Sequence, residues 1–466
     1  MKMKYSTPKF KFWIIILSAM LVTSCDSFLE VDLPQSQLSN VSVYENYETA
    51  TTALTSIYGN LRDQGMFSEG AGIGLTGALA NYTDEMVAYD ESSSKIYINF
   101  YNNTLLPSNT YISGFWNSAY SQIYAANAVF EGAAASTFLT ADQKKQLQGE
   151  ALFIRGMLHF YLSNLFGDIP YVTQTDYKVN RLMARTEIKV VYDLVAADLK
   201  NAIAMLPVNY ISANKVRPNQ LTAKALLSKV YLYQGSWSEA ENTASSIIGQ
   251  SGVYSFEDEL NNLFLIGSKE TIWQLRSATS DRNTWEGELF ILSAGPPLYT
   301  ALNSVLVNSF ANTDLRRSKW MKSVSSGNST WYYPFKYKEM LFTTVSKEYL
   351  VLFRLTEQYM IRAEARAQLD NLQGAKDDLN KIRKRATLDN TVANTKAELL
   401  DAILQERRWE FFAELGHRFF DLKRAGKLDV NLSGIKPGWN TTDRLFPIPE
   451  KELNTNPNLR PQNPGY

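Results

Sequence analysis

The sequence predicts a mostly α-helical fold, in which about four helical hairpins form a scaffold and an irregular, insert-rich second part carries short strands. Two observations support this prediction. Several long segments place apolar residues at alternating steps of four and three, which is the spacing of one helix face. Two intervals, about 89–111 and 251–349, lack this period and are rich in Tyr, Asn and Ser, or in Gly, Pro, Trp and Tyr, respectively.

The N-terminal residues 1–24 predict a secretory signal peptide. Four lysines precede the apolar run FWIIILSAMLV, which is shorter than the roughly 20 residues that a membrane-spanning helix needs. Small residues then precede Cys25, and the order Val22-Thr23-Ser24-Cys25 resembles a bacterial lipobox, in which the thiol is acylated. We therefore expect a lipid anchor on Cys25 and a tether over residues 25–42. The alternative is an ordinary signal peptide followed by an incidental buried cysteine.

The helical scaffold is predicted to cover about 43–88, 112–250 and 350–425 of a single domain, 43–466. Thr140 and Gln143 have capping-box spacing at the start of a long helix, which Gly167 ends. Later segments of about 30 residues contain a turn near their middle and resemble tetratricopeptide hairpins, which stack because one hairpin cannot bury its own apolar stripe. The irregular spacing between them argues against a regular solenoid.

The two intervals without helical period are predicted to be ligand-binding inserts. Insertions of this length in a compact protein are commonly functional loops. The C-terminal segment carries several prolines and is expected to be an extended strap, with a helix only around Glu450 to Leu453.

Composition excludes several classes of function. Lysine plus arginine and aspartate plus glutamate each number 47, so the chain has no basic excess for binding nucleic acid. The single cysteine excludes an intramolecular disulfide and the Cys/His clusters of structural zinc sites. The histidines, His159 and His417, are too far apart in sequence to form a metal motif, and we expect neither a metal nor a cofactor.

Acidic residues on one predicted helix invite a catalytic interpretation. Glu406, Glu410 and Glu414 recur every four residues beside Arg407 and Arg408. An ion-paired helix face explains this pattern better than catalysis does.

Two pairs of adjacent carboxylates, Asp84-Glu85 and Asp90-Glu91, are a second catalytic candidate. A glycosidase needs two carboxylates on opposite sides of a cleft, and adjacent residues do not supply that geometry. We therefore expect the chain not to be an enzyme.

Several segments together resemble the SusD/RagB-like family of outer-membrane nutrient-binding lipoproteins. The resemblance runs in family order through the lipobox with CDSFLE, EALFIRGMLHFYLSNLFGDIPYV, YDLVAADLKNAIAMLP, ALLSKVYLYQGSW, QYMIRAEARAQLDN with LNKIRKRA, ILQERRWEFFAELGHRFFDLKRAG, and LFPIPEKELNTNPNL with QNPGY. It implies four tetratricopeptide-like units and a ligand site in the irregular part. It also implies a non-enzymatic lid on a TonB-dependent, SusC-like transporter, anchored in the outer membrane and facing the cell exterior.

Candidate ligand residues follow from the chemistry of sugars. A sugar presents an apolar face ringed by hydroxyls, so its site needs aromatic rings with amide or charged groups at the rim. The first interval offers Tyr97, Tyr101, Asn102 and Asn103, and the resemblance implies that this insert contributes to a glycan site. The second interval offers Trp285, Tyr299, Trp320 and Trp331. Core packing is the alternative for each ring.

The leading hypothesis is a cell-surface lipoprotein that captures oligosaccharides and delivers them to its transporter. Peptide capture within the same family is one alternative, and the sequence separates the two poorly. A repeat-based adaptor for outer-membrane assembly is another, although the long interval 251–349 argues against a continuous repeat array.

Overall fold

The computed structural model of this chain describes residues 40–89 and 96–466. The predicted signal peptide, the predicted acylation site Cys25 and nearly all of the predicted tether lie outside the described residues. The chain divides into two units, Met1–Val43 and Tyr44–Tyr466. Helix α1 (Asn40–Val43) belongs to the first unit, and the other described helices and strands belong to the second.

The second unit is mostly helical, with a few short strands. Its helices are α2 (Tyr47–Asp63), α3 (Leu75–Tyr82), α4 (Ile98–Tyr101), α5 (Thr110–Ala135), α6 (Ala141–Phe166), α7 (Tyr177–Asn180), α8 (Ile188–Met205), α9 (Gln220–Gln234), α10 (Trp237–Ile248), α11 (Trp285–Phe290), α12 (Ser304–Ser309), α13 (Leu315–Lys319), α14 (Leu355–Gln368), α15 (Leu372–Arg385), α16 (Lys396–Phe411), α17 (His417–Arg424), α18 (Leu428–Leu432) and α19 (Glu450–Thr455). Its strands are β1 (Met86–Ala88), β2 (Thr271–Leu275), β3 (Thr300–Leu302), β4 (Met321–Ser326), β5 (Ser329–Pro334) and β6 (Leu350–Arg354). Within the described ranges, no helix combines the length and the apolar character that crossing a membrane requires.

The long helices pack one after another into a layered scaffold. Helix α5 packs on α6, α6 on α8, α8 on α9, and α9 on α10. The array resumes at α14, which packs directly on α10 although the whole interval 251–349 separates them in sequence. Alanines 240, 244 and 365 lie in the buried cluster between these helices, where small side chains let the backbones approach closely. The predicted mostly α-helical fold with short strands is confirmed.

Local signals determine several helix ends. The predicted capping box of Thr140 with Gln143 is formed, and Thr395 with Glu398 forms a second one at the start of α16. Helix α6 ends at Gly167, as predicted, with φ of 77°. Helix α16 ends at Phe411. The chain turns there through left-handed conformations at residues 413 and 415 to start α17.

The inserts contain an antiparallel sheet with the strand order β1-β3-β5-β4. Strand β1 precedes the first insert, whereas β3, β4 and β5 all lie within 251–349. The hairpin of β4 and β5 pairs from Met321↔Pro334 to Ser326↔Ser329. A separate pair, β2 with β6, connects the start of this interval to the strand that leads into α14. The second insert is therefore built around a sheet and is anchored at both ends.

A buried histidine on α6 is held in its neutral form. Its Nδ1 lies 2.9 Å from the Arg155 carbonyl oxygen, and its Nε2 accepts a hydrogen bond of 3.0 Å from the Val172 N–H. A second proton on His159 would point at a donor, and burial lowers the pKa of His159 to about 3. Arg155 pairs with Asp198 at 2.6 Å. Both residues are satisfied structural groups.

An ion network surrounds the C-terminal half of α16. Glu410 is fully buried and lies 2.6 Å from Arg385, 2.7 Å from Arg354 and 3.2 Å from Arg316. Burial opposes its ionisation, but the three guanidinium groups outweigh burial and hold the pKa of Glu410 well below its usual range. The ion pairing predicted for this helix is present, but in the protein interior rather than on a surface face.

Removing the central charge of this network should destabilise the fold. Glu410→Gln leaves three buried guanidinium groups without their shared carboxylate, so we expect a loss of about 3–5 kcal/mol in the free energy of unfolding at neutral pH. Denaturant titration followed by circular dichroism measures it. The matched control Glu45→Gln removes an exposed carboxylate and should change stability by less than about 0.5 kcal/mol. Equal stability of the two variants would contradict the prediction.

The neutral state of His159 predicts a pH dependence of stability. An unfolded-state pKa near 6.5 and a folded-state pKa near 3 mean that only the unfolded chain binds the proton between these values, so stability falls as the pH decreases below 6.5. From about pH 6 to pH 5, the wild type should lose about 1.2 kcal/mol more than His159→Gln does. Unfolding curves at both pH values test this. Parallel losses in the two proteins would refute it, whatever their stabilities at pH 7.

Candidate functional site

One face of the four-stranded sheet collects aromatic side chains from separate parts of the chain. Residues directly opposite in an antiparallel pair share a face, and alternate residues along a strand do too. The register Val87↔Ala301 and Leu302↔Tyr332 therefore places Tyr89, Tyr299, Trp331 and Tyr333 on the same face. The Tyr89 N–H donates to the Tyr299 carbonyl at 2.8 Å, which continues the pairing beyond β1 and β3. We call these four residues the aromatic face.

Two rings of the aromatic face are in contact. Tyr89 and Trp331 meet edge to face, with ring centroids 6.5 Å apart, and both are half-buried. Burial raises the pKa of Tyr89, a hydrogen bond with Trp331 lowers it, and the nearby Tyr101 hydroxyl raises it again. The loop before Tyr299 crosses the indole at Gly295, where a Cβ would lie 2.3 Å from Cζ3 of Trp331. Only glycine lets the backbone approach so closely.

Tyr101 at the end of α4 adds a ring beside Tyr89. The Lys436 Nζ lies 3.8 Å from the centroid of this ring and donates to the Asn81 carbonyl at 2.6 Å. Burial lowers the pKa of Lys436 to about 7. Asn102 is half-buried, and its carbonyl oxygen lies against Gly438. Three of the predicted residues, Tyr101, Tyr299 and Trp331, are thus brought together, with Asn102 adjacent in sequence to Tyr101.

The structure places other predicted residues in the core. Tyr97 is 1% exposed and donates from its hydroxyl to Glu69 at 3.0 Å. Trp320 is completely buried, and its indole N–H donates to the Leu260 carbonyl. Asn103 is buried and donates to the Tyr82 carbonyl. These three side chains present no surface to a ligand in this conformation.

Trp285 lies in another cluster. Its ring is half-buried, and the Arg282 guanidinium lies 4.0 Å from its centroid and 5.9 Å from the centroid of the exposed Phe342 ring. The indole nitrogen packs on Gly70, where a Cβ would be 2.5 Å away. Its contacts join the second insert to the segment after α2.

Sequence reasoning missed Tyr89 and Lys436. Tyr89 ends the stretch MVAY, which is apolar throughout and so has no alternation that would show which face Tyr89 occupies. Lys436 had no signal, because its contact with Tyr101 joins segments more than 300 residues apart.

The acidic candidates are structural. Asp84 is buried and accepts two hydrogen bonds from Arg418, at 2.9 and 3.0 Å, and one from Arg408 at 2.8 Å. Glu85 beside it is buried, and burial together with the neighbouring Asp84 charge raises its pKa to about 8. Asp90 and Glu91 lie outside the described residues. Over 40–89 and 96–466, no group of three or more His, Cys, Asp or Glu side chains is placed to hold a metal ion.

A groove on the helical scaffold also has aromatic walls. Its volume is about 380 Å³, and it lies between α5, α7 and α19. Tyr124 and Tyr177 on its walls are 50% and 66% exposed. Trp116, which also lines the groove, is buried.

Two family models and several curated relatives match this chain. Residues 27–232 match a SusD-like family model described as starch-binding and associating with the outer membrane, and residues 277–466 match the model of the SusD family. SusD-like protein P2 of Formosa agariphila is 25% identical over 98% of this chain and 100% of its own length.

Solved structures share the fold. A SusD superfamily protein of Bacteroides vulgatus superposes with a TM-score of 0.79 at 22% identity, over 91% of this chain and 100% of that protein. Surface glycan-binding protein A of Bacteroides uniformis gives a TM-score of 0.75 at 20% identity, over 90% of this chain and 99% of that protein. Two family models that between them match both parts of the chain, relatives over its full length and the shared fold lead to one conclusion: the chain belongs to the SusD/RagB-like family.

Proposed function

We propose that this protein is a cell-surface lipoprotein that captures oligosaccharides and delivers them to a partner TonB-dependent, SusC-like transporter, for which it acts as a lid. The observation that carries the proposal is the aromatic face together with Tyr101. Rings from three distant segments share one sheet face, where Tyr89, Tyr299 and Trp331 are half-buried and Tyr333 is buried. Half-buried Tyr101 lies near Tyr89. Such rings stack on the apolar faces of sugars.

The name of the Bacteroides uniformis protein supports a glycan ligand, because that protein shares the fold and is a surface glycan-binding protein. The family description supports association with the outer membrane. We assign the anchor to a lipid on Cys25. The protein acts by binding and release, and we assign no catalytic residue to it.

Weak affinity suits this function. Two or three stacked rings contribute about 0.5–1.5 kcal/mol each beyond the area they bury, so the dissociation constant should lie between about 1 µM and 1 mM. A protein that passes its ligand on must also release it. Candidate ligand residues are Tyr89, Tyr101, Tyr299 and Trp331, with Asn102 at the rim.

Loss of one ring should weaken glycan binding. In calorimetric titrations of residues 26–466 with plant, algal and host oligosaccharides, we expect Trp331→Ala and Tyr101→Ala each to raise the dissociation constant at least about tenfold. Trp331→Phe keeps a ring and should lose less. The matched control is Tyr124→Ala, which also removes one tyrosine ring, but from the scaffold groove, where that ring is exposed. If only Tyr124→Ala loses glycan binding, the site is that groove. If only mixed peptides give a heat of binding, the ligand is a peptide rather than a glycan.

The anchor can be tested independently of the ligand. With Cys25→Ser, the protein should no longer incorporate labelled palmitate and should leave the detergent phase on Triton X-114 partition, because the thiol is the acylated atom and several acyl chains hold a protein stably at a membrane. Wild-type protein from the same cells is the reference. Unchanged partition of the variant would refute acylation at Cys25.

A further inference from the structure

The aromatic face continues along β5 toward a group of lysines. Trp331 and Tyr333 alternate on this strand, and Phe335 follows at the next position of the same period. The rings of Tyr333 and Phe335 lie 6.1 Å apart, and those of Tyr89 and Trp331 lie 6.5 Å apart. At about 3.4 Å per residue, Trp331 to Phe335 spans about 14 Å along the strand, which accommodates a short run of sugar rings.

Three lysines surround the Phe335 end of this row. Lys322 stands directly opposite Tyr333 in the hairpin, and its Nζ lies 5.8 Å from the Phe335 ring centroid. The Lys338 Nζ lies 4.7 Å from the same centroid and donates to the Lys319 carbonyl at 2.9 Å. Lys322 is exposed, and Lys319 is half-buried.

Lys319 and Lys322 form no direct ion pair in the described part of the chain. Over residues 40–89 and 96–466, neither of them has a carboxylate within 4.0 Å. Burial lowers the pKa of Lys338 to about 8, the Glu348 and Glu259 charges raise it, and the charges of Lys322 and Lys319 lower it further. Glu348 is thus nearer to Lys338, and its carboxylate also accepts hydrogen bonds from the backbone N–H groups of residues 338 and 339.

This arrangement differs from the other cation clusters of the second unit. Arg316, Arg354 and Arg385 are each matched by a carboxylate at 2.6 to 3.2 Å. Lys319 and Lys322 repel each other and lie beside one end of the aromatic residues of β5. Cations placed in this way favour a ligand that carries its own negative charge.

Resting on the proposed function, we infer that the captured oligosaccharide is anionic, with a carboxylate or sulfate group placed against Lys322 and Lys319 while its sugar rings lie on the aromatic face. A lysine ammonium is a compact point charge, so it accepts either anion. Lys338, bonded to two backbone carbonyls, positions the cluster.

Matched pairs of ligands isolate the charge. Oligosaccharides of about four residues from several backbones are titrated calorimetrically in two forms: uronic acids before and after reduction of the carboxylates to alcohols, and sulfated sugars before and after desulfation. We expect the acidic form of the bound backbone to bind about tenfold more tightly at low salt, with this preference shrinking as the salt concentration rises. The uronate and sulfate arms identify which anion is recognised.

The double variant Lys319→Gln/Lys322→Gln tests the assigned lysines. It should remove the preference for the acidic form and leave the affinity for the neutral form unchanged. The control Lys178→Gln/Lys189→Gln removes the same charge from exposed positions at α7 and α8 and should keep the preference. Thermal unfolding of both variants checks that they remain folded.

The outcomes separate this inference from the proposed function. Equal affinity for acidic and neutral forms, or equal loss of both in Lys319→Gln/Lys322→Gln, overturns the inference while Trp331-dependent binding preserves the function. A wild-type chain that binds no member of the panel overturns both.

Discussion

Burial of several charges around the end of α16 is the constraint on which the rest of the structure depends. A charge taken out of water is costly unless partners compensate it, so each buried group here requires its counterpart to be in place. Glu410 receives Arg385 from the scaffold helix α15, Arg354 from β6 and Arg316 from the second insert. One carboxylate therefore joins the helical scaffold to the irregular part.

The same helix end also orients the sheet. Lys336, just after β5, donates to the Glu410 carbonyl at 2.7 Å, and Arg408 pairs with Asp84, just before β1, at 2.8 Å. Strands β1 and β5 carry Tyr89 and Trp331, so the two rings are held by bonds to one helix. Under the proposed function, rings preorganised in this way would lose little conformational entropy on binding an oligosaccharide.

Charge is thus used in two ways. In the interior, guanidinium and carboxylate groups are matched closely, and they fix the relative positions of elements distant in sequence. Along the sheet, Lys319 and Lys322 near Phe335 have no carboxylate within 4.0 Å among residues 40–89 and 96–466. The paired charges of the interior explain how the helices and strands are positioned. The lysines near Phe335 concern instead the ligand that we propose for the aromatic face.

The sequence by itself determined the features that depend on neighbours in the chain. The capping residues Thr140 and Thr395, the turn at Gly235 and the period of the long helices act within one or two helical turns, so a mostly α-helical fold of hairpins with interrupting inserts was predictable. Which aromatic residues remain accessible was decided only by the tertiary structure. Trp320 and Trp331 are eleven positions apart in the same interval, yet one is enclosed in the core and the other lies half-buried on a sheet face. The reason is physical: exposure depends on which distant segments cover a ring, such as the segment of Leu260 at Trp320 and that of Tyr89 at Trp331.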